Sequence, residues 1–231
     1  MSCARGESAM GEKTNYFVGM PRSPNLRGVY RNDLPARAAY AEGAGIYRIV
    51  PAAVAIPRDV ADLVELVRWA AREEMALIPR GAGSGMGGGN VGDGIIVDLT
   101  RIGAGGIRLE PATLRAVTAA SVTHAALNHA AGTHGLRLPP DPSSGRFATL
   151  GGMVATNASG ARSVRYGSVR PWVEAIELVT AEGDVVQLAR GSAAAEVNGG
   201  AFQRFERDVA PRIRDAASLV AARFPRTRKN S

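Results

Sequence analysis

One glycine-rich run constrains this chain more than any other feature. It reads Pro79, Arg80, Gly81, Ala82, Gly83, Ser84, Gly85, Met86, Gly87, Gly88, Gly89 and Asn90. It places a loop almost free of side chains between two apolar segments, Leu77 and Ile78 before it and residues 95–99 after it. Glycine reaches positive φ at no steric cost, so consecutive backbone N–H groups can turn toward one point and leave an anion free access. A flexible linker has a similar composition, but linkers rarely stand between two segments that read as buried strands.

A second cluster begins at Pro139, Pro140, Asp141, Pro142, Ser143, Ser144 and Gly145 and resumes at Thr149, Gly151, Gly152, Ala155, Asn157 and Gly160. Its paired glycines and small residues permit close packing, and the Asn157 amide both donates and accepts hydrogen bonds. Read as a second loop, it lets the chain grip a long dinucleotide at both ends. Two better-known phosphate motifs are excluded. No Gly-x-x-x-x-Gly-Lys run occurs, and the only lysines are Lys13 and Lys229, which argues against a nucleoside triphosphatase P-loop. Gly81, Gly83 and Gly85 lack the nicotinamide fingerprint spacing, and no helical pattern follows them directly.

Hydrophobic periodicity predicts a mixed α/β (α+β) domain with two lobes. Residues 48–56 read as a strand closed by Pro57. Asp59 reads as an N-cap for a helix whose apolar positions are Val60, Leu63, Val64, Val67 and Ala71, with Asp62, Glu65, Arg68 and Arg72 facing out. Residues 75–79 form the next predicted strand, so a strand, helix, strand unit delivers the glycine loop at a strand end, where α/β sheets bind ligands. Further strands are expected at 95–99, 107–110, 114–120, 173–180 and 185–188, a helix at 122–131, and a hairpin turn at Gly183 and Asp184. Phe202 and Phe205 read as one helix face, and an amphipathic pattern runs over 209–224.

Residues 79–84, with Leu150, Gly151, Gly152, Met153, Val154, Ala155, Thr156, Asn157, Ala158, Ser159, Gly160 and the Arg162 to Gly167 stretch after them, resemble the FAD-binding domain of the FAD-linked oxidases, the p-cresol methylhydroxylase or vanillyl-alcohol oxidase type. The likeness runs from about Tyr47 to about Val186 and is greatest to bacterial D-lactate dehydrogenases, glycolate oxidase flavin subunits and flavoproteins fused to iron–sulfur modules. It implies a two-lobed domain with mixed parallel and antiparallel sheets. The backbone from Arg80 to Gly85 would hold the FAD pyrophosphate, with a hydrogen bond from the Ser84 hydroxyl. Asp141 to Ser144, Gly151, Gly152, Ala155, Asn157 and Gly160 would line the rest of the cofactor, with Pro79, Pro140 and Thr149 in the same segments. Some members attach the flavin through a histidine in or just after the first glycine loop. This chain has Ala82 and Ser84 there, so non-covalent FAD is expected.

The same resemblance implies oxidation of a 2-hydroxy acid by hydride transfer to flavin N5, with electrons passed to a quinone, cytochrome or iron–sulfur partner. The base and carboxylate-holding groups come mainly from a second domain in that family, so no catalytic residue is assigned. Arg165 reads equally as a group that positions a carboxylate and as a buttress of its turn. Three regions are expected: an extension over 1–45, the FAD-binding domain over 46–190 and a helical extension over 191–231. The last resembles the crossing toward a substrate domain, which suggests the N-terminal part of a longer flavoprotein.

Composition sets bounds. A chain of 231 residues, 45% hydrophobic, suits one domain with extensions. No apolar run approaches membrane-spanning length and no secretory apolar region opens the chain, so a cytoplasmic location is expected, with peripheral association at the inner membrane as a variant. The single cysteine, Cys3, excludes an intrachain disulfide. His124, His129 and His134 recur at five-residue steps that leave one helix face, so solvated histidines are expected and no metal site. Of the net charge of +7, five units sit from Arg204 onward, where eight basic residues meet three acidic ones. Charge without a recognisable motif is a poor sign of nucleic-acid binding, which is not expected. Two alternatives stay open beside the oxidoreductase: a catalytically silent FAD-binding protein, and a basic interaction protein without flavin.

Overall fold

The computed structural model describes residues 23–103, 106–192 and 199–224. Cys3, Lys13 and the basic end with Arg226, Arg228 and Lys229 lie outside the described residues. Short apolar runs build the main sheet, in the order β1 (Val29–Arg31), β2 (Ala53–Ile56), β4 (Ile95–Asp98) and β3 (Leu77–Arg80). Strand β4 runs parallel to both β2 and β3, whereas β1 is antiparallel to β2. β4 is buried along its whole length, as expected for a central parallel strand covered on both faces. The strand expected over 48–56 is regular only from Ala53, beyond Pro51, which has no N–H for a ladder.

Two helices accompany this sheet. Helix α1 (Leu34–Ala39) starts at Asp33, whose carboxylate accepts from Ala36 N at 3.2 Å. Helix α2 (Val60–Arg72) starts at Asp59 as expected, with the Asp62 N–H donating to its carboxylate at 3.0 Å. The buried face of α2 departs from the expected stripe. Leu66, Trp69 and Ala70 enter the core with Val64, Ala71 is exposed, and Asp62, expected to face solvent, is 2% exposed. Asp62 turns inward because its carboxylate accepts the N–H groups of Arg27, Gly28 and Arg58 at 2.8, 2.9 and 2.9 Å. Leu66 and Trp69 pack on Ala53, Ala55, Ile95 and Val97, and the Trp69 ring meets Tyr30 edge-on at 6.1 Å. Each such large side chain contributes about 1.5–3 kcal/mol by leaving water.

A second core lies beside the first of two hairpins. Strands β5 (Ile107–Glu110) and β6 (Arg115–Thr118) form one, with Leu114 at φ 57° in the connection, and β7 (Ala175–Val179) and β8 (Val185–Ala189) form the other around Gly183 at φ 79°. Helix α3 (His124–Gly132) is capped by Thr123, one residue inside its expected start, and α4 (Leu150–Ala155) by Thr149. Val122, Leu127, Ala148, Leu150, Met153 and Val169 form this core. After the short α5 (Ser163–Tyr166), the last described stretch is α6 (Gly200–Arg204), a π-helical turn at Phe205–Val209, α7 (Ala210–Asp215) and α8 (Ala217–Arg223). The amphipathic pattern there leaves Phe205, Val209, Ile213 and Leu219 exposed. The fold is therefore mixed, with parallel and antiparallel sheets and two cores.

Candidate cofactor site

The first glycine loop leaves the carboxyl end of β3, on the edge of the parallel part of the sheet. Gly83 at φ 69° and Gly88 at φ 81° take backbone conformations that L side chains seldom adopt. Beyond them, a Cβ added at Gly87 or Gly89 would meet no atom within 4 Å, so this strip is bare peptide open to an approaching ligand. Ala82 and Gly85 are exposed, and Ser84 makes no side-chain hydrogen bond among the described residues. Exposed peptide at Ala82 and Gly85 and a free Ser84 hydroxyl are properties a diphosphate-binding loop needs, while Gly83 itself is buried against the Arg80 side chain.

The side chain of Arg80 is engaged with the protein itself. Its Nη1 donates to the carbonyls of Asn90 at 3.1 Å and Tyr40 at 3.4 Å, and its Nη2 donates to the carbonyl of Glu42 at 2.8 Å. The guanidinium lies 5.4 Å from the centre of the Tyr40 ring. The Tyr40 hydroxyl donates to Asp98 Oδ2 at 2.6 Å, and burial, then that bond, pushes its pKa up to about 12. Ala44 N donates to Gly83 O, and the Tyr47 ring closes on Gly88. Residues 40–47 thus form a collar around the loop, a feature that nothing in their composition announced.

The second cluster meets the first. A Cβ on Gly81 would run into the Thr149 hydroxyl, so only glycine lets the two segments touch. Within the second cluster the expected loop is in part a helix. Leu150, Gly151, Gly152 and Ala155 lie in α4, and the left-handed conformation is reached only at Asn157, φ 49°, among residues 149–160. The correction has a local cause: Thr149 caps the turn, accepting from Gly152 N at 3.3 Å, and small residues pack without interrupting it. The glycines serve close approach instead, since a Cβ on Gly151 would lie 2.8 Å from the Ala120 Cβ, and one on Gly160 would overlap the Asp141 carbonyl. Asn157 Oδ1 accepts from Arg170 N at 3.1 Å, so that oxygen holds the following turn.

The other predicted residues are placed as follows. Pro140 is fully buried, while Asp141, Pro142 and Ser144 are half-buried and Ser143 is exposed. The Asp141 carboxylate is 3.5 Å from Arg162 and 3.9 Å from Arg137, in partly exposed ion pairs. Arg165 lies over the Tyr166 ring at 5.2 Å. His124, expected to be solvated, is instead 4% exposed, with Nε2 2.9 Å from Asn128 Nδ2. Asn128 Oδ1 accepts from Leu138 N at 2.7 Å, so this pair ties α3 to the segment leading to Pro140. Among the described residues no group of three His, Cys, Asp or Glu side chains is placed to hold a metal.

A bare glycine loop at the carboxyl end of parallel strands, touched by a second small-residue segment, defines a nucleotide-cofactor domain. Residues 51–189 match the FAD binding domain family, so the chain belongs to that family, of the p-cresol methylhydroxylase type, and its cofactor is FAD. Among curated relatives, it is 33% identical over 156 residues to a D-2-hydroxyglutarate dehydrogenase of Haemophilus influenzae, covering 66% of this chain and 15% of that protein. It is 30% identical over 154 residues to the glycolate oxidase subunit GlcD of Bacillus subtilis, covering 66% and 33%. The chain thus spans no more than a third of these relatives. Solved 6-hydroxy-D-nicotine oxidase from Arthrobacter nicotinovorans shares the fold, with a TM-score of 0.62 at 23% identity over 74% of this chain and 37% of that one. The family makes this stretch of the chain an FAD-binding domain.

Proposed function

We propose that this chain is the FAD-binding part of a dehydrogenase that oxidises a small 2-hydroxy acid of the D-lactate or glycolate type and delivers the electrons to a quinone, cytochrome or iron–sulfur protein. The observation that carries the reading is the contact of Gly81 with Thr149, which brings the two glycine-bearing segments together at one place. Relatives named D-2-hydroxyglutarate dehydrogenase, glycolate oxidase subunit and D-lactate dehydrogenase support the substrate class. Bound FAD supplies the hydride acceptor. The backbone of residues 80–85 binds its diphosphate, Ser84 adds a hydroxyl, and Gly152 and Ala155 line the rest, with Gly151 and Gly160 holding that segment close against Ala120 and Asp141. Asp141, Ser143 and Ser144 line the same surface, and Pro79, Pro140 and Asn157 hold its shape. The flavin is held without a covalent bond, because Ala82 and Ser84 offer no attachment atom of the histidine kind. Among the described residues no helix is long and apolar enough to cross a membrane, and the proposed location is the cytoplasm, with the inner-membrane surface as a docking place.

The test is the visible spectrum of the purified chain after free flavin is removed. Wild type should carry flavin absorbance, and the Gly83→Glu, Gly152→Glu double variant should be colourless while keeping its circular dichroism. A folded wild type that stays colourless with added FAD sinks the proposal. The small share of each relative that is covered favours a second reading, in which the chain alone binds FAD without oxidising a hydroxy acid. Anaerobic dye reduction with D-lactate and with glycolate separates the two.

A further inference from the structure

We propose that the Arg80 side chain is a positioning group for the diphosphate loop, a clasp that sets the loop's shape before FAD arrives and does not itself touch the phosphates. The inference rests on the FAD reading and goes beyond it. A loop built of glycine has more backbone freedom to lose than any other sequence, so an unrestrained one binds weakly. Here the loss is taken during folding. The two terminal nitrogens of Arg80 reach carbonyls on both sides of the loop's base, at Tyr40 and Glu42 on the collar and at Asn90 where the loop ends. Asn90 in turn donates from Nδ2 to Gly85 O at 3.0 Å, closing the loop on itself. The Tyr40 ring under the guanidinium is fixed by Asp98, which also accepts from the Thr100 N–H and hydroxyl at the end of β4. The restraint therefore passes from the central strand to the loop through one side chain.

Gly83 completes the device. A Cβ there would lie 2.5 Å from Arg80 Nη2, so the clasp and the absence of a side chain at Gly83 are one requirement. Arginine is needed for its fork: a lysine ammonium offers its donors from one point and cannot serve three carbonyls on two separate segments.

FAD titration by tryptophan or flavin fluorescence, with amide hydrogen exchange on the apo chain, tests this. Arg80→Gln should weaken FAD binding about tenfold and Arg80→Lys about threefold through lost preorganisation. In the apo Arg80→Gln protein, amides of residues 81–90 should exchange faster while those of β2 and β4 stay protected. Gly83→Ala should cost less affinity in the Arg80→Gln background than in wild type, because the steric conflict has gone and only the positive φ remains. FAD affinity should fall with salt in parallel for wild type and Arg80→Gln, since no ion pair to phosphate is lost. A flatter salt dependence in the variant overturns the proposal in favour of direct phosphate binding, and wild-type affinity in Arg80→Gln overturns it outright. If Arg80→Gln does not fold, wild-type affinity and exchange in Arg80→Lys overturn it equally. A wild type that binds no FAD defeats the functional reading instead, so the two failures are distinct.

Discussion

The two glycine-bearing segments look alike in sequence and are held by opposite means. The first, residues 81–90, has no regular structure and takes its shape from distant partners: Arg80 bonds carbonyls 38 and 40 positions away. The second, residues 149–160, takes its helix of six residues from a threonine cap three residues from its donor partner, and its first turn also bonds the distant segment after β6, at Val122 and Ala120. Glycine in the first segment supplies positive φ, and in the second it supplies room. A sequence rich in glycine therefore says that backbone must come close to something, but whether to a ligand or to another part of the protein depends on what folds beside it.

The contrast can be broken most severely at Gly160. Replacing it with valine forces a side chain into the Asp141 carbonyl, and the loss in chemical denaturation should be about 3 kcal/mol or more, if the variant folds at all. The next effect reaches the first segment from a distance. Asp62→Ala removes the acceptor of the Arg27, Gly28 and Arg58 N–H groups, which fixes the entry to β1, the strand that leads through α1 to the collar. It should cost about 3 kcal/mol, and FAD affinity should suffer more than the integrity of α4. Burial opposes ionisation of Asp62, but those N–H bonds outweigh it and hold its pKa below the ordinary carboxylate value. Its contribution is thus present above the unfolded pKa and lost as pH falls through the folded one, so Asp62→Ala should flatten the acid limb of a stability profile.

Thr149→Ala sharpens the local side of the comparison. It removes a cap and should cost about 1 kcal/mol in thermal melts. The smallest effect belongs to Tyr40→Phe, visible chiefly in alkali. The Tyr40 pKa is raised from 10.0 to about 12, so its contribution is present below pH 10.0 and lost as pH rises through about 12. The variant's stability should depend less on pH across that window, and an unchanged slope would separate Tyr40 from the clasp.

Much of this was legible in the chain. Leu77, Ile78 and residues 95–98 form the strands expected of them, Asp59 caps α2, and Gly183 turns the last hairpin. These features rest on interactions within a few residues or on one apolar run, and sequence records both directly. The inward turn of Asp62 was hidden, because a carboxylate on a helix reads as solvent-facing until the N–H groups it satisfies, 34 and 35 residues earlier, are brought against it. His124 was hidden for the same reason, since its Asn128 partner gains meaning only when both meet the Leu138 backbone. The collar left no periodic signal, being a run of turns whose only regularity is the path of the loop it surrounds.

By itself, the sequence determined that two stretches of this protein must allow close backbone approach, that the first leaves a strand at its carboxyl end, and that the family binds FAD. Folding decided which atoms those stretches approach. Glycine removes steric exclusion, and exclusion is local, so sequence reveals where it is absent. What occupies the vacated space depends on how the chain comes together: Arg80 beside Gly83, Thr149 beside Gly81, and the Asp141 carbonyl beside Gly160.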